Sequence, residues 1–491
     1  MIVDQADIVI RGARVIDGTG AESRIADIAV SDDRIVAVGD LAGTAGGVEI
    51  DAAGRAVAPG FIDVHTHDDR AVLSNPDMAC KVSQGVTTVV TGNCGISLAP
   101  LATTVAPPPP SDLIGDRAEH YFADFAGHLA ALDDAPPALN VVAQVGHATL
   151  RMGAMDSLDR AATGDEIAVM RGRLEESLAA GAVGMSTGLY YAPANAAPTE
   201  EIIALAKALA PAGAMHSTHM RDEAAGVLDS LDETFAIGRA AGVPVVISHH
   251  KCSGIANHGR TTETLPKIAA AREHQPVAVD VYPYVAGSTV LDSTRLKDAS
   301  RVIVTWSKPH PEATGRDLDA IAEEWGCGMV EAAERLKPAG GIYFLMDEED
   351  VRRVLSFPHA MIGSDGLPYD AHPHPRLWGT FPRVLGHYAH DVGLFSLEEA
   401  VRRMTGLPAA QFGLTDRGAI RAGAYADLVI FDPDTIADTA TFDEPTTPAA
   451  GIDLVMVNGR ATWRDGAHTG ARPGRALRLQ DLGPKGRVVP G

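Results

Sequence analysis

The residues best suited to chemistry in this chain are two histidines that follow a short apolar run near residue 60. The segment 60–67 (GFIDVHTH) begins after Pro59 and ends in a His-x-His pair. In an extended strand, residues i and i+2 point to the same side, so His65 and His67 can present their imidazoles to a common point. Imidazole is a good ligand for zinc and neighbouring transition metals. The segment therefore predicts a metal site at the end of a strand.

Four further candidates stand at the ends of predicted strands, namely Cys94, His219, His249 and Asp365. Each has an ordinary alternative when taken singly: a buried structural thiol, a core histidine, or an aspartate that caps a helix or forms a turn. Together with the His-x-His pair, they form a mixed set of nitrogen, sulfur and oxygen donors, which fits zinc well. We therefore expect all six side chains to meet at one metal centre.

A metal ion beside a carboxylate indicates hydrolytic chemistry. The ion lowers the pKa of bound water and polarises a carbonyl oxygen. Asp365 can then take a proton from that water and return it to a leaving nitrogen. The donor set therefore predicts a hydrolase in which Asp365 is both general base and general acid.

A regular alternation of strands and helices is predicted to position these donors. After the opening run at 60–67, seven more apolar runs follow, at 87–92, 140–145, 182–186, 214–219, 243–248, 277–282 and 359–363. Such continuous runs are typical of parallel strands covered by helices. Between them, Thr163 and Glu166 have the spacing of a capping box and Gly181 marks the end of that helix, while Ser396 and Glu399 predict a second capping box.

Eight strand–helix repeats over roughly 350 residues predict an α/β fold with a (β/α)₈ barrel at 59–415, in which functional groups collect at the carboxyl ends of the strands. A doubly wound open sheet is the alternative. Residues 1–58 and 416–480 have shorter β-type patterns, and we expect them to pair into one small β domain. Residues 285 to about 345 interrupt the repeat and are predicted to form a lid-like insertion.

Composition and charge limit the class of partner. The chain has 491 residues, of which 46% are hydrophobic and 21% charged, as in ordinary globular proteins. A formal net charge of −23 argues against nucleic acid or an anionic membrane as the main partner, and no apolar run approaches a membrane span. Four scattered cysteines and an N-terminus without a basic signal-peptide start predict a cytoplasmic enzyme. The oligomeric state stays open.

Several motifs resemble those of the amidohydrolase superfamily: the His-x-His segment, Ser-Asp-Gly at 364–366 and Ala-Asp-Leu-Val at 426–429. More narrowly, the chain resembles the D-aminoacylases, or N-acyl-D-amino-acid deacylases. The segments that carry this resemblance are 92–95, 184–191, 217–221, 247–251, 280–284 and 374–379. They are spread over nearly the entire chain.

The resemblance implies a zinc-dependent hydrolase that removes the acyl group from N-acyl-D-amino acids. It places a tightly bound zinc on Cys94, His219 and His249, and a weaker second metal on His65, His67 and Asp365. It also implies a set of ligands for the α-carboxylate of the substrate: Lys251, Tyr282 and Arg376, with Tyr191 and Ser288 nearby. An arginine fork matches a carboxylate, which agrees with this role. Without the resemblance, Lys251 and Arg376 would be interpreted as solvated or structural charges.

The side-chain specificity stays open in the sequence. Arg295, within the predicted insertion, would either meet a second carboxylate and favour N-acyl-D-glutamate or simply be solvated. Val290, Leu291 and Leu296 predict instead an apolar pocket for D-leucine, D-methionine or D-phenylalanine derivatives.

Two other functions compete with deacylation. A cyclic-amide hydrolase of the hydantoinase or dihydroorotase kind would share the barrel and the metals. Cys94 and the lack of an evident lysine on the fourth strand argue against it. A non-catalytic scaffold of the same fold is the other alternative, and the full set of expected metal ligands argues against that.

Overall fold

The structure, a computed structural model, describes residues 4–486, and its strands lie in four sheets. The strands are β1 (Gln5–Val15), β2 (Arg24–Ser31), β3 (Arg34–Gly39), β4 (Ala45–Asp51), β5 (Ala56–Pro59), β6 (Phe61–Asp63), β7 (Val86–Thr91), β8 (Asn140–Ala143), β9 (Val145–Gly146), β10 (Gly184–Gly188), β11 (Met215–His219), β12 (Val245–Ile247), β13 (Val277–Val281), β14 (Ala286–Val290), β15 (Val302–Ser307), β16 (Ala339–Phe344), β17 (Ala360–Ile362), β18 (Leu428–Phe431), β19 (Ile452–Val457), β20 (Arg460–Arg464), β21 (Ala467–His468) and β22 (Ala476–Leu477).

The helices lie mainly between the central strands. They are α1 (Ala71–Ser74), α2 (Ala79–Val82), α3 (Phe125–Asp134), α4 (His147–Ala154), α5 (Gly164–Ala180), α6 (Ala192–Asn195), α7 (Thr199–Ala206), α8 (Leu209–Ala212), α9 (Val227–Ala241), α10 (Thr261–Arg272), α11 (Leu318–Glu324), α12 (Met329–Leu336), α13 (Glu348–Ser356), α14 (Arg376–Arg383), α15 (Leu397–Met404) and α16 (Gly406–Phe412), and α14 continues into a π-helical segment, Val384–Asp391. Within residues 4–486, no helix is both long enough and apolar enough to cross a membrane.

Two parallel sheets carry the strand ends that matter for the site. One has the order β22-β8-β7-β6 and the other the order β17-β13-β12-β11-β10-β9. The segment 140–146 supplies a strand to each sheet, β8 to the first and β9 to the second. At the opposite edges, Thr66 and Gly366 form a parallel bridge, and the Asp365 amide donates a 2.7 Å hydrogen bond to the carbonyl oxygen of His65. Strands such as β7 are buried at every position, as their continuous apolar runs predicted.

The predicted capping box of α5 is confirmed. The Thr163 hydroxyl accepts a hydrogen bond from the Glu166 amide at 3.3 Å, and the Glu166 carboxylate accepts one from the Thr163 amide at 2.7 Å. Gly181 ends this helix with a φ of 128°, a value that a side chain would disfavour.

The second predicted capping box, at α15, is only half formed. The Ser396 hydroxyl accepts a hydrogen bond from the Glu399 amide at 3.1 Å. The Glu399 carboxylate, however, lies 2.6 Å from Arg402 and 2.8 Å from Arg403. The reciprocal bond predicted from the spacing is therefore replaced by two ion pairs within the same helix.

The two ends of the chain meet in one nine-stranded sheet. Its main path runs β21-β20-β19-β18-β5-β1-β2-β3, with β4 paired to β1. The N-terminal and C-terminal parts join where β18 runs antiparallel to β5, with Val429 opposite Ala58. Ile10, Ile28 and Leu454 are among the residues of a separate apolar core on this sheet. The domain boundaries 1–58 and 416–480 stay a prediction, and residues 1–3 lie outside the described range.

The predicted insertion contains a small antiparallel sheet of order β14-β16-β15, together with α11 and α12. It contacts the loop that follows β17. The His372 amide donates to the Thr305 carbonyl oxygen at 3.0 Å, and Arg376 donates to the Ser288 carbonyl oxygen at 3.2 Å. The insertion therefore lies directly over the end of the last parallel strand.

Candidate metal centre

The six side chains predicted as metal ligands lie together in the structure, and all six are buried. They form two groups that share Cys94: one of His65, His67, Cys94 and Asp365, and one of Cys94, His219 and His249. Within each group, the possible ligand atoms lie within 4.8 Å of one another.

Short contacts show how closely the donor atoms converge. Cys94 Sγ lies 3.2 Å from His65 Nε2 and 3.4 Å from His249 Nε2. Asp365 Oδ1 lies 3.2 Å from His67 Nε2 and 3.5 Å from His65 Nε2. The ring centroids of His219 and His249 are 4.5 Å apart. The cluster is therefore one continuous set of donors.

The backbone turns sharply where three of these residues leave their strands. Cys94, His249 and Asp365 have φ values of 53°, 36° and 51°, in the left-handed region that non-glycine residues rarely occupy. Each such residue costs on the order of 1–3 kcal/mol and persists only where its surroundings hold it. These turns follow β7, β12 and β17, and they direct the side chains into the cluster.

Two buried carboxylates, which the sequence analysis had not identified as site residues, contact the nitrogens of His65 and His249 that face away from the cluster. Asp280 Oδ1 lies 3.2 Å from His65 Nδ1 and accepts a 2.7 Å hydrogen bond from the His249 amide. Glu223 Oε1 lies 3.0 Å from His249 Nδ1. Such partners fix the tautomer and orientation of metal-binding histidines. A signal was present for Asp280, because it stands near the end of a predicted strand and within the segment 280–284 that carries the family resemblance.

A buried lysine, also missed, links the first and last parallel strands. Lys81 Nζ lies 2.7 Å from Asp63 Oδ2, 2.7 Å from Ser364 Oγ and 3.3 Å from Asp68 Oδ2. Burial opposes its charge, but Asp63 and Asp68 outweigh burial and raise the pKa of Lys81. This network ties the His-x-His segment to the residue before Asp365.

Neighbouring charges set the protonation of the two acidic donors. Burial raises the pKa of the Cys94 thiol, but His65 and His249 outweigh burial and hold that pKa well below its usual value. Burial likewise raises the pKa of Asp365, but Arg376 and His65 hold it well below its usual range. These neighbours therefore favour the anionic form of both groups, the form in which thiols and carboxylates bind metals.

The donor chemistry fits zinc. Four imidazoles, a thiolate and a carboxylate are the ligand types that zinc uses in proteins. Both ring nitrogens of buried His219 lack a hydrogen-bond partner among residues 4–486, although a buried imidazole ordinarily has one. A metal at this position would satisfy the ring. The residues present therefore suit one or two such ions.

A cavity opens beside the cluster, and every predicted substrate-binding residue lines it: Tyr191, Lys251, Tyr282, Ser288, Arg295 and Arg376. Apolar side chains complete the wall: Ile96, Leu113, Leu345, Met346 and Leu367. The prediction of an apolar pocket made of Val290, Leu291 and Leu296 was wrong, because these residues do not line this cavity. Leu291 and Leu296 are instead buried in the main apolar core.

Two cations flank Tyr282 at the cavity. The Arg376 guanidinium lies 4.6 Å from the ring centroid, and Lys251 Nζ lies 5.9 Å from it. Each cation also contacts an acid: Arg376 lies 2.9 Å from Asp365 Oδ2, and Lys251 lies 2.7 Å from Glu223 Oε2. The arrangement offers positive charge and a phenol hydroxyl to a small anion.

The predicted specificity residue, Arg295, lies between aromatic rings. Its guanidinium is 4.5 Å from the Tyr190 centroid and 5.8 Å from the Tyr343 centroid. Within residues 4–486, no carboxylate lies within ion-pair distance of it. Arg295 is therefore an unpaired cation at the cavity wall, held by ring faces.

Comparison with known proteins places the chain in a family. The family model described as "Amidohydrolase family" matches residues 48–253 and 328–463. The chain is 56% identical over 471 residues to a D-aminoacylase of Alcaligenes xylosoxydans xylosoxydans, covering 96% of this chain and 97% of that protein. It is 53% identical over 482 residues to an N-acyl-D-aspartate deacylase of the same organism, covering 98% of this chain and 96% of that protein.

A solved structure supports the same placement. The N-acyl-D-glutamate deacylase from Bordetella bronchiseptica, complexed with zinc and a phosphonate inhibitor that mimics the tetrahedral intermediate of its reaction, matches with a TM-score of 0.94. The two are 48% identical, and the match covers 96% of this chain and 100% of that one. On these grounds, the chain belongs to the amidohydrolase family and, within it, to the D-aminoacylases.

Proposed function

We propose that this chain is a zinc-dependent hydrolase that converts N-acyl-D-amino acids to a carboxylate and a free D-amino acid. The observation that carries the proposal is the position of Asp365. Its Oδ1 faces His67 at 3.2 Å, within the metal-ligand cluster, and its Oδ2 faces Arg376 at 2.9 Å, on the cavity wall. The Asp365 carboxylate thus contacts both the group of metal-binding side chains and a cation that would bind an anionic substrate.

In this proposal, Cys94, His219 and His249 hold a tightly bound zinc, and His65, His67 and Asp365 hold a weaker second metal. Cys94 belongs to both groups of donors, so its thiolate is available to either position. When bound, zinc supplies a Lewis acid that polarises the acyl carbonyl and lowers the pKa of water.

Asp365 moves the proton. It accepts a proton from the attacking water while the water oxygen bonds to the acyl carbon. The resulting carboxyl group gives that proton to the amide nitrogen, the carbon–nitrogen bond breaks, and the amino acid leaves. Arg376 keeps Asp365 ionised at neutral pH, so the residue starts the cycle as a base.

The cations beside Tyr282 give the substrate its orientation. Lys251, Tyr282 and Arg376 bind the α-carboxylate, and Tyr191 and Ser288 complete this part of the wall. Holding the α-carboxylate and the acyl group together leaves only one enantiomer with its side chain directed into the cavity. Selectivity for D-amino acids would follow from this two-point attachment.

Arg295 sets the class of side chain in this proposal. An unpaired guanidinium at the wall favours a D-aspartate or D-glutamate side chain, because the carboxylate would supply the missing ion-pair partner. The apolar residues that line the same cavity, such as Leu345 and Met346, favour an aliphatic side chain. One relative is named an N-acyl-D-aspartate deacylase, whereas another is named a D-aminoacylase, with no side chain in its name.

We also propose that the parallel strands close into a (β/α)₈ barrel at 59–415, flanked by a small β domain from 1–58 and 416–480. The Thr66–Gly366 bridge and the shared segment 140–146 support closure, because they connect the two parallel sheets at two places. The insertion at 285–345 would act as a lid over the cavity. The four free cysteines fit a reducing compartment such as the cytoplasm.

A cyclic-amide hydrolase is the competing function. The fourth central strand, β10, has the sequence GMSTG and carries no lysine. The lysine expected of a cyclic-amide hydrolase is therefore missing from this strand. The residues that line the cavity do not favour that function over deacylation.

The test is the release of free amino acid by the purified, zinc-loaded protein. The substrates are N-acetyl-D-methionine, N-acetyl-D-glutamate and their L-enantiomers, with a hydantoin in parallel. We expect hydrolysis of at least one D compound and of neither L compound. Cleavage of neither D compound would overturn the proposal, and turnover of the hydantoin alone would favour the cyclic-amide alternative.

A further inference from the structure

Glu223 is a buried carboxylate at the cavity that the proposed reaction does not use. It lies in the loop after β11, four residues beyond His219, and its side chain is 3% exposed. Its Oε1 lies 3.0 Å from His249 Nδ1, and its Oε2 lies 2.7 Å from Lys251 Nζ. His219 Nε2 is also near, at 3.7 Å from Oε2.

The contact with His249 determines which ring nitrogen faces the metal site. His249 Nε2 points to Cys94 Sγ at 3.4 Å, while Nδ1 points to Glu223. A carboxylate oxygen 3.0 Å from Nδ1 requires a proton on that nitrogen, because two acceptors at this distance would repel. The proton on Nδ1 leaves the lone pair of Nε2 free for a metal.

Lys251 Nζ is also close to the same imidazole, at 2.9 Å from His249 Nδ1. Both groups are donors when Nδ1 is protonated, so this approach is not itself favourable. The Glu223 carboxylate offsets the repulsion between these two donors, because it accepts a hydrogen bond from the Lys251 ammonium and another from His249 Nδ1. The remaining protein bond of the ammonium goes to the His249 carbonyl oxygen at 3.1 Å.

We infer that Glu223 is a positioning residue that couples the two halves of the site: it orients His249 toward the metal and holds the Lys251 ammonium toward the substrate carboxylate. This inference rests on the proposed function for the role of Lys251, whereas the role at His249 depends only on metal binding. One substitution at Glu223 should therefore disturb two properties that are otherwise separate.

The experiment uses Glu223→Gln in the full chain. Glutamine keeps the shape but not the charge, and the backbone bond from the Ser253 amide to the Glu223 carbonyl oxygen stays available. The matched control is Glu233→Gln, which removes a partly buried carboxylate that pairs with Arg221 of the same loop at 2.8 Å. No contact joins Glu233 to either His249 or Lys251.

Three experiments are carried out on both variants: zinc affinity by chelator competition, steady-state kinetics that give kcat and KM for the best N-acyl-D-amino acid, and thermal unfolding. We expect Glu223→Gln to lose about 10- to 100-fold in zinc affinity and also to raise KM, while Glu233→Gln changes neither. A wild-type zinc affinity together with a wild-type KM in Glu223→Gln would overturn the inference. If Glu233→Gln lost as much zinc affinity and raised KM as much as Glu223→Gln, the effect would come from a general weakening of the loop and would contradict a specific role of Glu223.

A double variant separates positioning from simple destabilisation. If Glu223 acts on substrate binding through Lys251, the KM of Glu223→Gln with Lys251→Met, measured at saturating zinc, should equal that of Lys251→Met alone. Additive effects on KM would contradict the coupling. Should Glu223→Gln fail to fold, Glu223→Asp gives the same comparison, with an intermediate loss expected.

The same measurements distinguish a failure of the proposed function from a failure of the inference about Glu223. A wild-type protein that binds zinc but hydrolyses no N-acyl-D-amino acid would contradict deacylation. The zinc affinities of the variants would still decide whether Glu223 positions His249.

Discussion

The guanidinium of Arg376 lies 2.9 Å from Oδ2 of Asp365, so the residue proposed to bind the substrate carboxylate and the residue proposed to move protons form one ion pair. They are brought together by the connection between β17 and α14, residues 363–375. Arg376 also donates to the Ser288 carbonyl oxygen at 3.2 Å, on the first strand of the insertion. Metal donors, substrate cations and insertion therefore meet at this pair.

Replacing Asp365 tests the proton relay. Asp365→Asn should lower kcat by about 10²- to 10⁴-fold, because an amide cannot accept the proton. Zinc on Cys94, His219 and His249 should be retained, since none of these ligands changes. Steady-state kinetics and metal analysis of the same preparation check both points. Activity near that of the wild type would exclude the role of Asp365.

Cys94 is the donor common to both metal groups, so its loss should remove both ions. We expect Cys94→Ser to be purified with little zinc and no activity, because a serine hydroxyl is a far poorer ligand than a thiolate. Cys80→Ser is the control, since Cys80 is a buried thiol outside the donor groups. A full complement of zinc in Cys94→Ser would contradict the assignment.

Arg295 allows a test of side-chain specificity. Arg295→Leu should lower kcat/KM for N-acyl-D-aspartate or N-acyl-D-glutamate by about 10²-fold or more, since a buried charge pair would be broken. The value for N-acetyl-D-methionine should stay the same or rise. Arg301→Leu serves as the control, because Arg301 pairs with Asp317 elsewhere on the insertion. Equal effects on acidic and neutral substrates would rule out a specificity role.

Acid sensitivity should arise in part from Glu201, a buried carboxylate away from the metal centre. It contacts His147 Nε2 at 3.0 Å and Arg151 Nη1 at 2.5 Å. Burial raises the pKa of Glu201, but His147 and Arg151 outweigh burial and lower it from 4.5 to about 2. A lowered folded-state pKa gives stability that is fully present above pH 4.5 and is lost as the pH falls toward 2.

We therefore expect Glu201→Gln to reduce the free energy of unfolding by about 3 kcal/mol at pH 7 and by progressively less below pH 4. Urea unfolding at several pH values measures the difference from the wild type. Glu175→Gln is the control, because Glu175 is an exposed carboxylate on α5. A difference that does not change with pH would show that charge is not the cause.

Local sequence patterns predicted a large part of the fold and of the site. The continuous apolar runs and the Thr163 capping box are properties of neighbouring residues, and the structure confirms both. The His-x-His pair is another such property, and its two imidazoles lie among the other predicted donors. The second capping box, at Ser396, failed in part because Arg402 and Arg403 compete for the Glu399 carboxylate. The spacing of residues alone could not predict whether the Glu399 carboxylate would bind the Ser396 amide or these arginines.

Only the tertiary structure decided the contacts that depend on the alignment of strands and the path of loops. Asp280 and Glu223 behind the histidines, Lys81 between two strand ends, and the Asp365–Arg376 pair depend on how strands align and how loops turn. The cavity wall likewise came from Leu345 and Met346 after β16, because the insertion folds back as an antiparallel sheet. The sequence by itself determined which donors stand at or just after each strand end, since that depends only on the order of residues along the chain. Their partners and the substrate cavity were decided by long-range packing, which no local pattern encodes.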